Sequence, residues 1–210
     1  MRDEHCHILW GVDDGSKSWE QTVAMLDAAV KAGVTSMVCT PHMRWSDFDQ
    51  KLVEGRFAQF KDVAAERGIA VELGYEVFYN RIMELGLAQA PCFVRQGSRD
   101  FLFEFNTGAP VEQGWDSTVY ALQSQFGLKV TIAHPERYTS VLDDYDMVHR
   151  LKEAGCRIQV SAGDLAGGVF DKSTKCAKWI MREGLCDALV SDAHCAEHYD
   201  TYARMVSKWL

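Results

Sequence analysis

Gly127-Leu128-Lys129-Val130-Thr131-Ile132-Ala133-His134 carries, in one short run, the pattern from which the fold is read. The glycine closes a helix expected over Asp116–Phe126, Lys129–Ile132 is a run of strand formers, and a histidine stands where the strand gives out. The same order recurs along the chain. Gly33, Gly68 and Gly184 also follow helical stretches, and His42, Glu76 and Asp192 come eight or nine residues after them.

Between these markers the elements alternate. Ser18-Trp19-Glu20-Gln21 is a capping box, and Val23, Leu26 and Val30 continue it at helical spacing. Further helices are expected over Asp49–Arg67, Asp144–Ala154, Ser173–Glu183 and Tyr199–Leu210. Strands are expected at Glu4–Leu9, Thr35–Thr40, Ile69–Leu73, Phe101–Phe105, Lys129–Ile132, Arg157–Ser161 and Ala188–Ser191. Asn80–Ser98 gives no clear pattern beyond a short helix before Gly86. Seven strands alternating with helices imply an α/β fold with a parallel sheet, which right-handed crossovers can close into a barrel. Residues at the carboxyl ends of barrel strands converge on one mouth.

The amino-terminal stretch Asp3-Glu4-His5-Cys6-His7-Ile8-Leu9-Trp10-Gly11-Val12-Asp13-Asp14-Gly15 supplies most of that mouth. On a strand, the period of two puts His5 and His7 on one face and Cys6 on the other. The turn at Gly11 and Asp13-Asp14-Gly15 then brings carboxylates back toward the imidazoles. Collected at the strand ends are His5, His7, Asp14, His42, Glu76, Glu104, His134, Asp192 and His194. Any one of these alone reads as a turn residue, but together they hold five of the seven histidines. One zinc ion takes about four ligands, so such a set suits two or three divalent ions with shared carboxylates. Nitrogen and oxygen donors without a required thiolate favour borderline or hard metals such as manganese, iron or zinc over copper. His149 and His198 fall on or beside helices and read as surface residues.

Composition narrows the function classes. A chain of 210 residues, 47% hydrophobic, builds one core, so residues 1–210 are read as a single domain. A net charge of −8 argues against a nucleic-acid partner or an anionic membrane surface. No apolar run is long enough to insert in a membrane, and Met1 lies too close to the first strand for a secretion signal, so a cytoplasmic protein is expected. Seven cysteines without a close pair fit reduced thiols. Oligomerisation is compatible with this composition. Cys176 and Arg182 have the C-x5-R spacing of thiol phosphatases, but helix formers fill the interval where a phosphate loop needs glycines.

Six motifs in order resemble a known family. They are His5-Cys6-His7-Ile8-Leu9 with Gly11-Val12-Asp13-Asp14-Gly15, Thr40-Pro41-His42, Gly74-x-Glu76, Glu104-Phe105, Ala133-His134-Pro135-Glu136-Arg137-Tyr138 and Ser191-Asp192-Ala193-His194. They resemble the manganese-dependent protein tyrosine phosphatases of bacterial capsule and exopolysaccharide operons, within the polymerase and histidinol phosphatase (PHP) superfamily. The resemblance implies a distorted (β/α)7 barrel and nine metal ligands that fall on the nine residues above. It further implies a metal-bridging hydroxide that attacks phosphotyrosine in line. Catalysis is then assigned to Arg137, His42 and Asp192, and substrate binding to Arg137, Trp10 and Tyr138, with Trp45, Phe78 and Tyr79 as further walls of an aromatic pocket. The implied substrate is a phosphotyrosine protein, most directly a bacterial tyrosine kinase of polysaccharide export.

Three departures bear on the substrate. Trp10 replaces a usual proline, Gly74-Tyr75-Glu76-Val77-Phe78 departs from Gly-Gln-Glu-Ile-Arg, and Cys195-Ala-Glu-His-Tyr follows Asp-Ala-His where the family has a second phosphate-binding arginine. Arg204 and Arg44 are candidates to replace that arginine. A small-molecule phosphoesterase of histidinol-phosphatase type and a weakly active metal-binding scaffold are the competing functions.

Overall fold

All strand pairings in the protein are parallel. The computed structural model describes residues 1–210. The chain runs β1 (Arg2–Cys6), α1 (Trp19–Lys31), β2 (Ser36–Cys39), β3 (His42–Met43), α2 (Gln50–Glu66), β4 (Ala70–Leu73), β5 (Glu76–Phe78) and α3 (Tyr79–Leu85). It continues through a 3-10 turn at Leu87–Phe93, β6 (Asp100–Glu104), α4 (Trp115–Phe126), β7 (Lys129–Ile132), a 3-10 turn at Pro135–Arg137, α5 (Thr139–Asp143) and α6 (Asp146–Glu153). β8 (Arg157–Ser161), α7 (Ala162–Leu165), α8 (Lys172–Arg182), β9 (Ala188–Val190) and α9 (Glu197–Trp209) complete it.

The strand orders are β1-β2-β4 and β3-β5-β6-β7-β8-β9. Pro41, which has no N–H to give a ladder, falls in the gap between β2 and β3. Across that gap Gly74 N donates to Cys39 O at 2.9 Å and Glu76 N to Pro41 O at 3.1 Å, so β2–β3 and β4–β5 run on side by side. At the other edge, Asp192 N donates to His5 O and His7 N to Ala193 O, each at 2.9 Å. Asp3 reinforces that junction by accepting from Ser191 N at 2.9 Å and Ser191 Oγ at 2.6 Å; burial pushes its carboxyl up to about 6. The result is a mixed α/β fold with a curled parallel sheet.

Two faces of the sheet do different work. On β6 and the residue after it, Phe101, Phe103 and Phe105 pack outward with successive centroids 5.5 and 5.3 Å apart, while Leu102 and Glu104 alternate to the inner face. Truncating any of these rings to alanine should cost about 3–5 kcal/mol. The helices cover that outer layer. α1 starts where Ser18 accepts from Gln21 N, and it buries Thr22, Met25, Leu26 and Ala29, the spacing of one helical stripe.

Most expected boundaries lie within a residue or two of the observed ones. The first strand is the exception: it stops at Cys6 rather than Leu9. Its register pairs Asp3 with Met37 but Cys6 with Cys39, three steps against two, so one extra residue bulges from β1. Ile8 and Leu9 are buried beyond the strand. Asn80–Ser98 resolves into α3, its C-cap Gly86 and the 3-10 turn, with Pro91 inside the latter. No helix is long and apolar enough to cross a membrane.

Candidate metal centre

The bulge in β1 lies beside His5, and bulges re-aim side chains. His5 Nε2 and His7 Nε2 come within 3.1 Å of each other in the buried interior. Their outer nitrogens are held from behind: His5 Nδ1 meets Gln159 Oε1 at 3.2 Å, and His7 Nδ1 meets Asp13 Oδ2 at 2.8 Å. These contacts set ring orientation as carboxylate and amide partners do behind metal-binding imidazoles. Asp13 also accepts from the backbone N–H of His42 at 3.1 Å and of Gly15 at 2.9 Å. A β-carbon at Gly15 would collide with the His7 carbonyl, so the turn can close this tightly only with glycine there.

Glu76, at the start of β5, is the hub. Its Oε2 lies 3.4 Å from both His5 Nε2 and His7 Nε2 and 2.8 Å from His42 Nδ1, and its Oε1 takes His134 Nε2 at 2.7 Å. Asp192 Oδ1 also faces His5 and His7, at 3.5 and 3.4 Å. Asp14 Oδ1 stands 3.3 Å from His42 Nε2 and 3.5 Å from His194 Nε2. Glu104 Oε2 is 3.9 Å from His42 Nδ1. The nine residues collected from the sequence thus fall into four overlapping groups whose donor atoms could hold metal ions: His7-Asp14-His42-His194, His5-Glu76-His134, His5-His7-Asp192 and His42-Glu76-Glu104.

Two features fit this cluster to cations. His42 Nδ1 and Glu76 Oε2 approach closely yet make no hydrogen bond, and Glu104 Oε2 and His134 Nδ1 are likewise buried without partners. Such orphans are costly unless another group satisfies them. In addition, His134 and Asp192 adopt left-handed backbone angles, φ of 31° and 49°, the only non-glycine residues to do so. Strain of this kind gathers at functional sites. Electrostatics agree. Burial resists protonation of His42, yet the charge of Glu76 together with interactions with the Asp14 and Glu76 carboxylates lifts the imidazole to about 9. Burial also opposes ionisation of Glu76 and Asp192, but the surrounding imidazoles, and for Asp192 first of all Arg137, hold both well below the carboxylate range. Glu104 moves the other way, raised by burial and then by the charge of Glu76. Positive charge is what this set attracts, as protons or as metal ions.

Arg137 sits on the 3-10 turn after β7, where Pro135 is its first residue. Its Nε donates to Asp164 Oδ2 at 2.7 Å and its Nη2 lies 2.6 Å from Asp192 Oδ2, with the side chain one-third exposed. Although burial weighs against its charge, Asp192, Asp164 and Glu136 hold it firmly cationic. Glu136 is not a direct partner: its Oε1 accepts from Ser161 N at 2.7 Å, tying the turn to β8. Burial, then the charge of Asp164, pushes Glu136 up to about 8.

The aromatic pocket is corrected by the structure. Tyr138 is fully buried, its hydroxyl donating to Ala133 O and accepting from Phe105 N. Trp10 is 8% exposed, edge-on to Trp19 and covered by the Arg56 guanidinium. Tyr79 is buried against Phe103. None of these three presents a face to a substrate, because the core claims them first. Trp45 remains, 42% exposed and 5.8 Å edge-on from the His42 ring. Of the two spare arginines, Arg44 reaches Glu104 Oε1 at 2.6 Å, whereas Arg204 bonds only Thr201 on its own helix. Cys176 is buried in α8, its thiol pushed up to about 12 by burial. Gln159 and Asp164 lie outside the residues read from sequence, whereas Asp13 belongs to the turn expected to bring carboxylates toward the imidazoles and does so behind His7.

A curled parallel sheet in an α/β protein, with imidazoles and carboxylates gathered where its strands end, defines a class of fold built round a candidate metal site. Within that class the chain belongs to the CpsB/CapC family of capsular polysaccharide synthesis, matching it over residues 1–206. It is 28% identical to the tyrosine-protein phosphatase CpsB of Streptococcus pneumoniae, over 92% of this chain and 83% of that protein. It is 29% identical to the tyrosine-protein phosphatase YwqE of Bacillus subtilis, over 92% of this chain and 77% of the relative. In three dimensions it is similar to a solved chain from work on YwqE and CpsB, described as unique metal-dependent tyrosine phosphatases. That match has a TM-score of 0.86 and 26% identity, covering 99% of this chain and 87% of the other.

Proposed function

We propose that this protein is a metal-dependent phosphatase that hydrolyses phosphotyrosine on proteins, using two or three divalent ions, manganese foremost. The sheet is read as a distorted (β/α)7 barrel of PHP type in one domain, with β2–β3 and β4–β5 each counted as a single strand. The observation that carries the reading is the donor cluster: four overlapping groups drawn from nine residues, with buried orphan atoms among them. His5, His7, Asp14, His42, Glu76, Glu104, His134, Asp192 and His194 would hold the ions. Ions bound there supply Lewis-acid polarisation of phosphoryl oxygens and a water acidic enough to serve as nucleophile near neutral pH.

The chain's own residues do the rest. Asp164 and Asp192 fix the Arg137 guanidinium from two sides, leaving its remaining N–H groups to meet equatorial phosphoryl oxygens as charge builds in the transition state. Asp192 thereby serves both the cation cluster and the arginine. His42 is positioned by its backbone bond to Asp13. Trp45 offers the exposed aromatic face nearest His42, suited to a tyrosine ring. No thiol is needed, since burial keeps Cys176 protonated. A tyrosine kinase of polysaccharide export is the proposed protein substrate. Seven free cysteines support a reducing, cytoplasmic setting.

The test is a substrate panel with added manganese: a phosphotyrosine peptide, a phosphoserine peptide, histidinol phosphate and sugar phosphates. The phosphotyrosine peptide should give the highest kcat/KM. Preference for histidinol phosphate would place the protein among small-molecule phosphoesterases, and no turnover at all would make it a scaffold.

A further inference from the structure

Beside the donor cluster lies a cavity of about 310 Å³ with no apolar residue in its wall; Arg137, Ser161, Asp164, Asp192, His194 and His198 line it. We propose that His198 is a direct phosphoryl-oxygen contact, its Nε2–H acting with Arg137 as the anion-binding side of this cavity. This assignment rests on the phosphatase reading and extends it to a residue that sequence alone placed on the surface.

The geometry begins with a backbone bond. His194 N donates to His198 Nδ1 at 3.2 Å. A nitrogen that accepts a hydrogen bond carries no proton, so the ring proton of neutral His198 must sit on Nε2. The far end of the ring is therefore a fixed donor. The two carboxylates in the wall are turned to the arginine, Asp164 Oδ2 taking Arg137 Nε and Asp192 Oδ2 lying against Arg137 Nη2, and neither bonds His198. His198 Nε2 has no hydrogen-bond partner within the protein, and the cavity is left with unspent donors from Arg137 and His198. A tetrahedral oxyanion is the ligand class that uses them. The spacing is also apt: His194 lies in the donor cluster, and His198, in the first turn of α9, is locked to it through the same backbone bond. An anion seated between Arg137 and His198 would thus lie beside the residues proposed to hold the metal ions.

A purely structural role, in which His198 only secures the His194 loop, makes different demands. In H198N the amide oxygen can still accept from His194 N, but nothing reaches outward. In H198Q an amide N–H reaches about where Nε2–H stood. The measurement is calorimetric binding of inorganic phosphate to manganese-loaded protein, with bound metal counted in each variant and kcat and KM taken on a phosphotyrosine peptide. H198N should weaken phosphate by about tenfold, the usual scale for losing a hydrogen bond to a charged group. H198Q should stay within about threefold of the native protein, and both should keep their metal. Unchanged phosphate affinity in H198N, equal weakening in H198N and H198Q, or metal loss in either would overturn the assignment. Phosphate binding does not depend on which ester is hydrolysed. If the native protein cleaves other phosphomonoesters but not phosphotyrosine, the substrate reading fails while the phosphate titration still decides the role of His198.

Discussion

The two ends of the curled sheet are built from similar residues and satisfy them in opposite ways. At the amino end, Arg95 pairs with Glu72 at 3.2 Å and with Asp100, Arg2 bridges Glu72 at 2.8 Å and Glu4 at 3.3 Å, and Arg157 reaches Glu4 at 3.3 Å. Glu4, Arg95, Asp100 and Arg157 line a small cavity of about 30 Å³, and both of its carboxylates have an arginine. At the carboxyl end, Glu76 and Glu104 leave buried oxygens unpaired among imidazoles, and the backbone is strained at His134 and Asp192. Where charge closes on itself the residues support the fold. Where it is left open in the interior, positive charge, as protons or as metal ions, would complete the arrangement.

The sharpest way to break this contrast is at Glu76. Because its two oxygens face His5, His7, His42 and His134, Glu76→Gln should remove bound metal and lower kcat/KM by roughly 10³-fold. Metal analysis alongside kinetics checks it, and full activity with unchanged metal would detach the hub from function. Next comes Arg137→Ala, expected to lower kcat/KM by roughly 10²-fold on any phosphoester while bound metal stays the same. If that variant lost its metal, Arg137 would belong to the cluster's support and not to substrate.

Changes at the amino end should be small. Arg95→Ala removes part-buried ion pairs worth about 1 kcal/mol, so kcat/KM should stay within about twofold and Tm should fall by about 2–4 °C. A tenfold loss of activity there would erase the distinction between the two ends. Smallest of all is the thiol effect: Cys176→Ser should leave turnover on a phosphotyrosine peptide unchanged. Cys156, Cys176 and Cys186 share a further signature, since burial raises each from the ordinary 9 to about 12. A raised folded value stabilises fully below pH 9 and is lost as pH climbs toward 12, so stability should decline across that window and less steeply when one of the three is replaced. Chemical denaturation at pH 8, 10 and 11.5 measures it.

How much of this was legible from sequence differs by residue. Gly127 through His134 announced a helix end, a strand and a candidate ligand because each signal is local, and β7 spans Lys129–Ile132 as read. The nine candidate donors, which the structure brings into four overlapping groups, were collected for the same reason: each lies in, or shortly after, a strand or turn signal. Gln159 was not, because its partner His5 is 154 positions away and nothing within β8 distinguishes it from a core amide. Asp164 sits on α7, a helix of four residues that is too short to show a period. Trp10 and Tyr138 were misplaced because adjacency to a motif says nothing about which way a ring faces. Tyr138 turns inward to bond Ala133 O and Phe105 N, and Trp10 packs on Trp19. The bulge in β1 escaped for a related cause, since it is visible only in the register against β2.

One titration bears on the metal centre most directly. Protein stripped with a chelator is reloaded with manganese in known equivalents while bound metal and hydrolysis of a phosphotyrosine peptide are followed together. Stripped protein should be folded and inactive, and activity should return in step with two to three bound ions per chain. Undiminished hydrolysis by the stripped protein, or saturation with no metal retained at the nine donors, would contradict a catalytic metal centre at the carboxyl ends of these strands.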